Sequence, residues 1–412
     1  MDSIAAASIP KLCASEGTGP ERARPIVNLL SLVHAFAMVD CVESELLSAA
    51  SVMLRRSADT QEETRDIFRR VSPGPVTPKD LGQSGGDNAA PYVLAERYGL
   101  AALWKPPGWA VDVSYDEEAD AQSDLRVRGG GRPLQDWIVD AFAARHPIAG
   151  DPLAAHGLVH RLDKDTSGAL LWASTYRAFL AARLQLAARR VRKEYVCLCH
   201  GYVRAAPSHL GMPLRQFVLP SGAQRTAAAS VGKSAHTQVL SAAHLVAARP
   251  GGGEPFSLVE VWIHTGRLHQ IRVHMSHAGH PLAGDAAYGR RDAKLRAGLE
   301  GNSSEVVSPS AGGQARHRRI FLHACRLCLE ASDAMAEVDN VPALGGACGR
   351  SGGEEGLAGL VAKAPLPADL LTVLTGGSDC SSPGTRGSGL APVDGRSRWL
   401  LGRWLQGIST SP

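Results

Sequence analysis

The stretch His156–Leu171 reads HGLVHRLDKDTSGALL and is the part of this 412-residue chain that best indicates its fold. Within it, seven polar or charged residues occupy eight consecutive positions, and apolar residues flank them on both sides. These seven residues are His160, Arg161, Asp163, Lys164, Asp165, Thr166 and Ser167. Charged groups in an apolar frame are costly unless they pair with one another or with a ligand. The segment His160–Gly168, which we call the signature loop, is therefore a candidate reaction centre.

The composition is that of an ordinary globular protein, with 44% hydrophobic residues and a formal net charge of +4. No apolar run is long enough for a transmembrane helix, and the first residues lack the pattern of a secretory signal. The eight cysteines form no disulfide framework, which is typical of a reducing compartment. We therefore expect an intracellular protein without a membrane partner, located in the cytoplasm or in an organelle such as a mitochondrion or plastid.

The periodicity of apolar residues predicts the order of helices and strands. Between Pro25 and Arg56, apolar residues recur at helical spacing in two segments that meet near Asp40, which predicts a pair of helices. Further helices are predicted at Tyr176–Arg190 and around Leu134 to Phe142, where apolar residues share one face of a helix that ends before Pro147. Strands are predicted at Leu100–Trp104, Ala169–Ala173, Glu194–Leu198, Thr237–Leu240, Ser257–His264 and Ile320–Leu329. Because strands outnumber the helices between them, the pattern indicates an α+β fold and not a doubly wound sheet.

Composition shifts along the chain predict its domain organisation. Residues 1–71 are expected to form a helical appendage, and the Pro/Gly-rich residues 72–90 a linker. Residues 91–375 are expected to form the main domain, and residues 376–412 a disordered tail. Insertions into the main domain are predicted near residues 116–132, 290–318 and 344–355.

Four motifs lie along the chain: KPPG at Lys105–Gly108, HRLDKDTSG in the signature loop, KEY at Lys193–Tyr195 and GRLHQIRVHMSHAGHPLAGDAAYG at Gly266–Gly289. Together they resemble the RluA-like pseudouridine synthases, a family that isomerises uridine in ribosomal and transfer RNA. They occur in the order that the family uses, and the later FLHACRL and APLPADL stretches resemble its closing strand and tail. The resemblance runs from about Tyr92 to Leu374. It implies that residues 91–375 form a pseudouridine synthase catalytic domain with a mixed, mostly antiparallel central sheet flanked by helices and loops.

The resemblance also implies catalytic roles for three residues. Asp163 matches the essential aspartate of the family, which either attacks the anomeric carbon of ribose or removes a sugar proton; both alternatives stay open. Arg272 matches the arginine that pairs with this aspartate. Tyr195 matches the aromatic residue that lies against the target base and takes part in removing its C5 proton. From the residues alone Asp165 competes with Asp163, but the family match favours Asp163.

RNA contacts are expected from a second group of residues. Arg161 matches the position that fills the gap left when the uridine flips out of the RNA stack. Other contacts are expected from His160, Lys105, Thr166, Arg267, His269 and Gln270. Two basic clusters, Arg189–Lys193 and Arg316–Arg319, are expected to neutralise phosphates. The expected partner is therefore RNA, either ribosomal or transfer RNA, and we expect a monomer without an obligatory protein partner.

Two other functions compete with an RNA isomerase. A non-catalytic RNA-binding module could keep the same fold, but the complete set of Asp163, Tyr195 and Arg272 argues against it. A metal-dependent hydrolase could use the five histidines between His264 and His280, but they lack the spacing of a helical HExxH motif. Cys325 and Cys328 lie three positions apart on a predicted strand and so point to opposite faces, which favours structural roles over zinc binding. No metal and no cofactor are expected, since the isomerisation is internal to one nucleotide.

Overall fold

The computed structural model describes the protein over ten segments. These are residues 23–38, 42, 44–69, 90–112, 132–204, 208–247, 253–289, 319–330, 359–376 and 390–406. The predicted linker, apart from its last residue, and the three predicted insertions, apart from residue 132, lie outside the described residues. By its internal contacts the chain divides into two compact units. Unit 1 comprises residues 1–162, 169–192 and 327–363, and unit 2 comprises residues 163–168, 193–326 and 364–412.

The described residues form helices and strands with the following bounds. The helices are α1 (Ala23–Met38), α2 (Ser44–Arg69), α3 (Leu134–Phe142), α4 (Tyr176–Ala187), α5 (Gln270–His277), α6 (Ala368–Thr375) and α7 (Gly395–Leu405). The strands are β1 (Tyr92–Arg97), β2 (Leu100–Lys105), β3 (Trp109–Ala110), β4 (Arg132–Pro133), β5 (Ser167–Ala173), β6 (Val191–His200), β7 (Ser208–Leu210), β8 (Leu214–Val218), β9 (Gln224–Ala228), β10 (Thr237–Ala247), β11 (Glu254–Ile263), β12 (Leu322–Leu329), β13 (Leu360–Lys363) and β14 (Leu390–Pro392). Among the described residues, no helix has the length and apolar character needed to cross a membrane.

Unit 1 combines the N-terminal helices with the first strands of the main domain. Strands β1 and β2 pair antiparallel, and β5 follows β2 in strand order. Helices α1 and α2 both pack against α4. A side-chain ion pair between Arg177 and Asp59, at 2.6 Å, joins α4 to α2. The contact between His34 Nδ1 and the Ala187 carbonyl, at 3.3 Å, joins α4 to α1. The N-terminal helices therefore pack against α4, a helix of the predicted main domain, within unit 1.

Unit 2 contains a mostly antiparallel sheet. Its strand order is β12-β6-β11-β10-β14, and the pairs from β6 to β14 are antiparallel. The start of β5 pairs parallel with β12, where Ser167 lies opposite His323. The sheet is therefore mixed and mostly antiparallel, and the predicted α+β class is confirmed. Strands β8 and β9 form a separate antiparallel hairpin.

Two features of unit 2 differ from the sequence prediction. Residues 390–406, predicted as part of a disordered tail, form β14 and α7. Strand β14 pairs with the end of β10, and Leu400, Leu401 and Trp404 of α7 are buried in the core of the unit. The neighbouring sequence is rich in glycine and serine, so the short apolar face of α7 was not recognised. The predicted disorder is therefore wrong for residues 390–406. Helix α5 was not predicted either, because histidines and an arginine interrupt its apolar pattern.

Candidate active site

Asp163 lies in a tight turn that leads directly into β5. The Thr166 amide donates to the Asp163 carbonyl oxygen at 3.0 Å and closes the turn. Gly168 follows with a φ of +120°, and a Cβ at this position would collide with the backbone of Ala324 on β12. Only glycine tolerates both the backbone angle and the close approach. The close approach of Gly168 to Ala324 thus fixes the backbone at the point where the turn enters β5.

A buried serine–histidine contact holds the same end of the signature loop. Ser167 Oγ lies 2.9 Å from His323 Nδ1, and His323 Nε2 lies 3.0 Å from the Ala364 carbonyl oxygen. Because a carbonyl oxygen only accepts, Nε2 carries the proton and Ser167 donates to Nδ1. Burial lowers the pKa of His323 to about 4. The imidazole is therefore neutral at physiological pH.

Arg272 lies on α5 between two carboxylates. Its Nε and Nη2 atoms donate to the two oxygens of Asp285, each at 2.8 Å, and its Nη1 donates to Asp163 Oδ2 at 3.3 Å. Burial lowers the pKa of Arg272, but the hydrogen bonds and charge of Asp285, together with the charge of Asp163, raise it well above its ordinary value. The guanidinium is thus a fixed cation that faces Asp163.

Asp285 is held in turn by the backbone that follows it. Its Oδ1 also accepts from the amides of Ala287 and Tyr288, at 3.0 and 3.1 Å, and its side chain is fully buried. A buried carboxylate needs such donors, since an unpaired charge there is costly. The short GDAAYG segment is therefore folded around Asp285, and Asp285 fixes the direction of Arg272.

Tyr195 lies in the middle of β6, opposite Val261 of β11, and only 6% of it is exposed. Burial raises the pKa of its hydroxyl above the ordinary value, and the charge of Asp163 raises it further. The phenol therefore stays protonated at physiological pH. Tyr195 and Asp163 both belong to unit 2.

His269 brings a third side chain to Asp163. Its Nε2 lies 3.9 Å from Asp163 Oδ2, and its Nδ1 lies 2.8 Å from the Tyr288 hydroxyl. The residue has a left-handed backbone with a φ of 55° directly before α5, a conformation that is strained outside glycine. Burial lowers the pKa of His269 to about 4, which the charge of Asp163 only partly opposes. The ring is therefore neutral.

The proton of neutral His269 can be placed from its neighbours. The Tyr288 oxygen accepts from the Thr226 amide at 3.0 Å. We assign the Tyr288 hydroxyl as the donor to Nδ1, which leaves the ring proton on Nε2. The opposite tautomer would turn a lone pair of Nε2 towards the Asp163 carboxylate. The assigned tautomer instead directs an N–H dipole at it, which is favourable.

Three of the residues expected to contact RNA are buried in the structure. Lys105 is fully buried, and its Nζ donates to the carbonyls of Pro106 and Trp109 at 2.8 and 3.0 Å. Thr166 is 1% exposed and Gln270 is 3% exposed. Gln270 Nε2 donates to the His236 carbonyl at 3.0 Å and to Thr237 Oγ1 at 2.9 Å, whereas the buried Thr166 hydroxyl has no hydrogen-bond partner among the described residues. In this structure the three side chains are buried, and their expected contacts with RNA stay a prediction.

The remaining expected RNA contacts differ in accessibility. His160 Nε2 accepts from the Leu171 amide at 3.1 Å and so holds the entry to the signature loop within unit 1. Arg161 is exposed. Arg267 is half-buried, and its Nε donates to the Ser234 carbonyl at 3.1 Å. His269 faces Asp163, as described above. Of this group, Arg161 has the most accessible side chain.

The residues of the two predicted basic clusters differ in exposure: Arg190 is exposed and Arg192 is half-buried, whereas others contact protein groups. Lys193 is buried, and burial together with the charge of Arg267 lowers its pKa to about 8. Arg189 Nη1 lies 3.4 Å from the Ala37 carbonyl oxygen. Arg319 forms a bidentate pair with Asp369 at 2.6 and 3.1 Å. Residues 316–318 of the second cluster lie outside the described residues.

The histidines proposed as metal ligands have separate hydrogen-bond partners. His264 contacts Gln238 at 3.2 Å, His274 contacts Thr237 at 2.9 Å, and His280 contacts the His200 carbonyl at 3.1 Å. Within the described segments, no three histidine, cysteine or acidic side chains are grouped as metal ligands. The Cys325 thiol is buried and donates to the Glu194 carbonyl at 3.3 Å.

Sequence reasoning missed three residues of this site: Asp285, Tyr288 and His323. Asp285 is the only acidic residue in the motif Gly266–Gly289. An isolated acid in a motif that also contains Arg272 is a signal for an ion pair, and it could have been recognised. Nothing in the sequence indicates that Tyr288 lies against His269, or that His323 lies against Ser167, because both contacts depend on how distant segments pack.

Comparison with known proteins identifies the family. Residues 133–277 match the model of the RNA pseudouridylate synthase family. The chain is 32% identical to ribosomal large subunit pseudouridine synthase C of Yersinia pestis, over 58% of this chain and 62% of the relative. It is 31% identical to the protein of the same name from Salmonella typhi, over 63% of this chain and 75% of the relative.

A relative from another bacterium agrees with these two. The chain is 34% identical to the uncharacterized RNA pseudouridine synthase YhcT of Bacillus subtilis, over 56% of this chain and 70% of the relative. The aligned part thus spans between about three fifths and three quarters of the length of these relatives. The four motifs, the mixed sheet and these similarities lead to one conclusion: the chain belongs to the RluA-like family of RNA pseudouridine synthases.

Proposed function

We propose that this protein isomerises uridine to pseudouridine in RNA, with Asp163 as the catalytic carboxylate. The observation that carries the proposal is the ion pair between Asp163 and Arg272, which Asp285 holds in place. Ribosomal RNA is the favoured substrate, since two of the relatives are named for the large ribosomal subunit. Transfer RNA is the alternative substrate.

The reaction requires a carboxylate that stays ionised next to ribose. The bond between C1′ and N1 breaks, the uracil turns, and a new bond forms between C1′ and C5. The C5 proton is lost and N1 gains a proton, so atoms balance without a cofactor. Asp163 begins this sequence by attacking C1′ or by removing a sugar proton. The cation of Arg272 lies 3.3 Å from Asp163 Oδ2 and fixes the direction of this carboxylate in either case.

Two groups orient Asp163 within this proposal. Asp285 occupies Nε and Nη2 of Arg272, so that Nη1 is directed at Asp163. His269 directs its Nε2–H dipole at the same carboxylate oxygen from 3.9 Å. Because His269 is neutral, it adds a donor without adding a second cation. Asp285, His269 and Tyr288 are positioning residues, since they act through Arg272 and Asp163.

Tyr195 supplies a surface for the uracil ring in this proposal. Stacking of a base on an aromatic ring stabilises it by about 1–3 kcal/mol. The environment that keeps the phenol protonated opposes a negative charge on Tyr195 next to Asp163. Tyr195 therefore acts as an aromatic surface and hydrogen-bond donor, and not as a resident phenolate that removes the C5 proton. Arg161, which is exposed, is proposed to fill the gap in the RNA after the base flips.

The proposal is tested by incubating the purified protein with transcribed ribosomal RNA and mapping pseudouridines at single-nucleotide resolution. We expect new pseudouridine at one or a few positions, without added nucleotide and in excess chelator. Transcribed transfer RNA serves as the second substrate. If neither RNA gains pseudouridine and RNA still binds, the non-catalytic binding module is supported instead. Activity that is lost with chelator and restored by zinc would support the metal-dependent hydrolase.

A further inference from the structure

Helix α7 presents an arginine-rich face to solvent. Its buried face consists of Ser397, Leu400, Leu401 and Trp404. Its opposite side carries the four residues Arg396, Arg398, Trp399 and Arg403, which we call the arginine–tryptophan face. Arg396, Trp399 and Arg403 follow one another at spacings of three and four, so they lie along one stripe of the helix.

Trp399 is an unusual residue to expose. It is 57% exposed, whereas the six other tryptophans of the chain are buried or half-buried. The Arg403 guanidinium lies over its ring, 4.9 Å from the centroid. The helix does not depend on this ring for packing, since the opposite face anchors it to β10 and the core. Its N-terminus is capped separately, where the Asp394 side chain accepts from the Ser397 amide at 2.7 Å.

The charge of this face selects the kind of molecule that fits it. Residues 395–405 contain three arginines and no acidic residue. Arginine guanidinium groups bind phosphates through paired hydrogen bonds, and an exposed indole ring stacks on an unpaired base. A phosphodiester chain with unstacked bases offers both partners. Within unit 2, the described residues of the predicted basic clusters do not supply this surface, because Lys193 is buried and Arg319 is paired with Asp369.

We propose that the arginine–tryptophan face of α7 is an RNA-binding surface that holds the substrate outside the catalytic site. The inference rests on the proposed function, because it takes the substrate RNA as its ligand. The arginines contact the phosphates, and Trp399 stacks on an unpaired base.

Strand β10 sets the separation between this surface and the catalytic residues. At one end of the strand, Thr237 Oγ1 contacts His274 of α5, the helix that carries Arg272. Seven residues further on, the His244 amide donates to Ser397 of α7 at 2.8 Å. At about 3.3 Å per residue, the two contact points lie roughly 20 Å apart. A short RNA around the target uridine therefore does not reach α7, whereas a longer RNA does.

The experiment compares two RNAs and three variants. The RNAs are a short hairpin that contains only the target uridine and its loop, and a fragment of the same RNA extended on both sides. The variants are Trp399→Ala, the double variant Arg396→Ala with Arg398→Ala, and a charge-matched control, Arg56→Ala with Arg145→Ala. Both control residues are exposed arginines of unit 1. Binding is measured as a dissociation constant over a range of salt concentrations, and isomerisation is measured as kcat and KM.

We expect each α7 variant to weaken binding of the long RNA by about fivefold or more. The slope of log affinity against log salt should fall by about two for the double arginine variant, since two phosphate contacts are lost. Binding of the short hairpin and kcat at saturating RNA should not change. The control variant should bind both RNAs like the wild type, and all variants should melt at the wild-type temperature.

Three results would overturn the proposal. Unchanged affinity of the α7 variants for the long RNA would remove the contact. An equal loss in the control variant would show that overall charge, and not the face, is responsible. An equal loss with the short hairpin would place α7 inside the catalytic footprint. The proposed function fails separately, when the wild type binds the long RNA through α7 and yet forms no pseudouridine.

Discussion

Arg272 and Asp285 form a two-point contact in which Nε and Nη2 each lie 2.8 Å from a different carboxylate oxygen. This geometry fixes the plane of the guanidinium and leaves Nη1 for Asp163, at 3.3 Å. The contact of Arg272 with Asp163, the proposed catalytic carboxylate, is longer than its contacts with Asp285. Asp163 therefore has a cation nearby but is held less tightly than Asp285. Asp285 thus orients Arg272, and Asp163 has the proposed catalytic role.

We predict that Asp285→Asn lowers both stability and kcat. A buried guanidinium would lose its fully buried anion, which typically costs about 3–5 kcal/mol of unfolding free energy. A displaced Arg272 should lower kcat by up to about 100-fold with little change in KM. Urea unfolding and steady-state kinetics measure the two effects. Asp369→Asn is the control, because it weakens a more exposed pair with Arg319 and should cost about 1 kcal/mol or less. A fully stable and active Asp285→Asn protein would contradict the assignment.

Asp163→Asn should abolish isomerisation and leave folding and RNA affinity nearly unchanged. The amide keeps the shape of the side chain but can neither attack ribose nor remove a proton. The loss should lie in kcat and be on the order of a thousandfold or more. Asp165→Asn, in the same loop but exposed, is the matched control and should be much milder. If Asp165→Asn were the more damaging change, the catalytic role would belong to Asp165.

Tyr288→Phe tests the tautomer of His269. Without the hydroxyl, Nδ1 loses its donor and the proton of Nε2 is no longer directed at Asp163. We expect kcat to fall by about threefold to tenfold with KM preserved, because the 3.9 Å contact is longer than a hydrogen bond and the lost interaction is that of an N–H dipole with a charge. His269→Gln, which keeps an N–H donor, should retain more activity than His269→Ala. Tyr202→Phe, at an exposed tyrosine of the same unit, should have no effect. Equal activity of the two His269 variants would rule out the donor role.

His323 makes stability depend on pH in a defined window. Its folded pKa of about 4 lies below its unfolded value of 6.5. Above pH 6.5 both states are neutral, so the full stability is present. As the pH falls towards 4 only the unfolded state gains a proton, and the unfolding free energy decreases by about 1.4 kcal/mol per pH unit. Between pH 7 and pH 5 this histidine should account for about 2 kcal/mol.

The His323 prediction is checked by urea unfolding of the wild type and His323→Gln at both pH values. The variant is expected to be less stable throughout, since it disturbs the contacts with Ser167 and Ala364. The informative quantity is the difference between pH 7 and pH 5, which should shrink by about 2 kcal/mol in the variant. His269 still titrates in both proteins and cancels from the comparison. The same pH difference in both proteins would show that His323 is not buried as a neutral ring.

Gly168→Ala should destabilise the protein more than Gly279→Ala does. Both glycines have a positive φ, +120° and +86°, but a Cβ at Gly168 would meet the Ala324 backbone whereas Gly279 borders open space. Gly279→Ala therefore reports the cost of the backbone angle alone, about 1–2 kcal/mol. Thermal unfolding should give a lower melting temperature for Gly168→Ala. Equal melting temperatures would show that β12 moves to admit a side chain.

The sequence by itself determined those features that depend on neighbouring residues. The signature loop, the candidacy of Asp163, the strand that carries Tyr195 and the α+β class all follow from short motifs or local periodicity. Family membership follows from the motifs in order, since their residue types are tied to one reaction.

Only the tertiary structure decided which polar groups pair and which are buried. Lys105 and Gln270 were expected from the sequence to contact RNA, but both are buried, and Gln270 donates to His236 and Thr237, which lie 34 and 33 residues away. Arg272 obtains its main partner, Asp285, from a turn 13 residues away, and Asp163 lies 109 residues away from it. Helix α7 is stable because β10 and the core cover its apolar face, which its local sequence did not indicate. The physical reason is that burial and ion pairing depend on contacts between distant parts of the chain, and local patterns carry no information about those contacts.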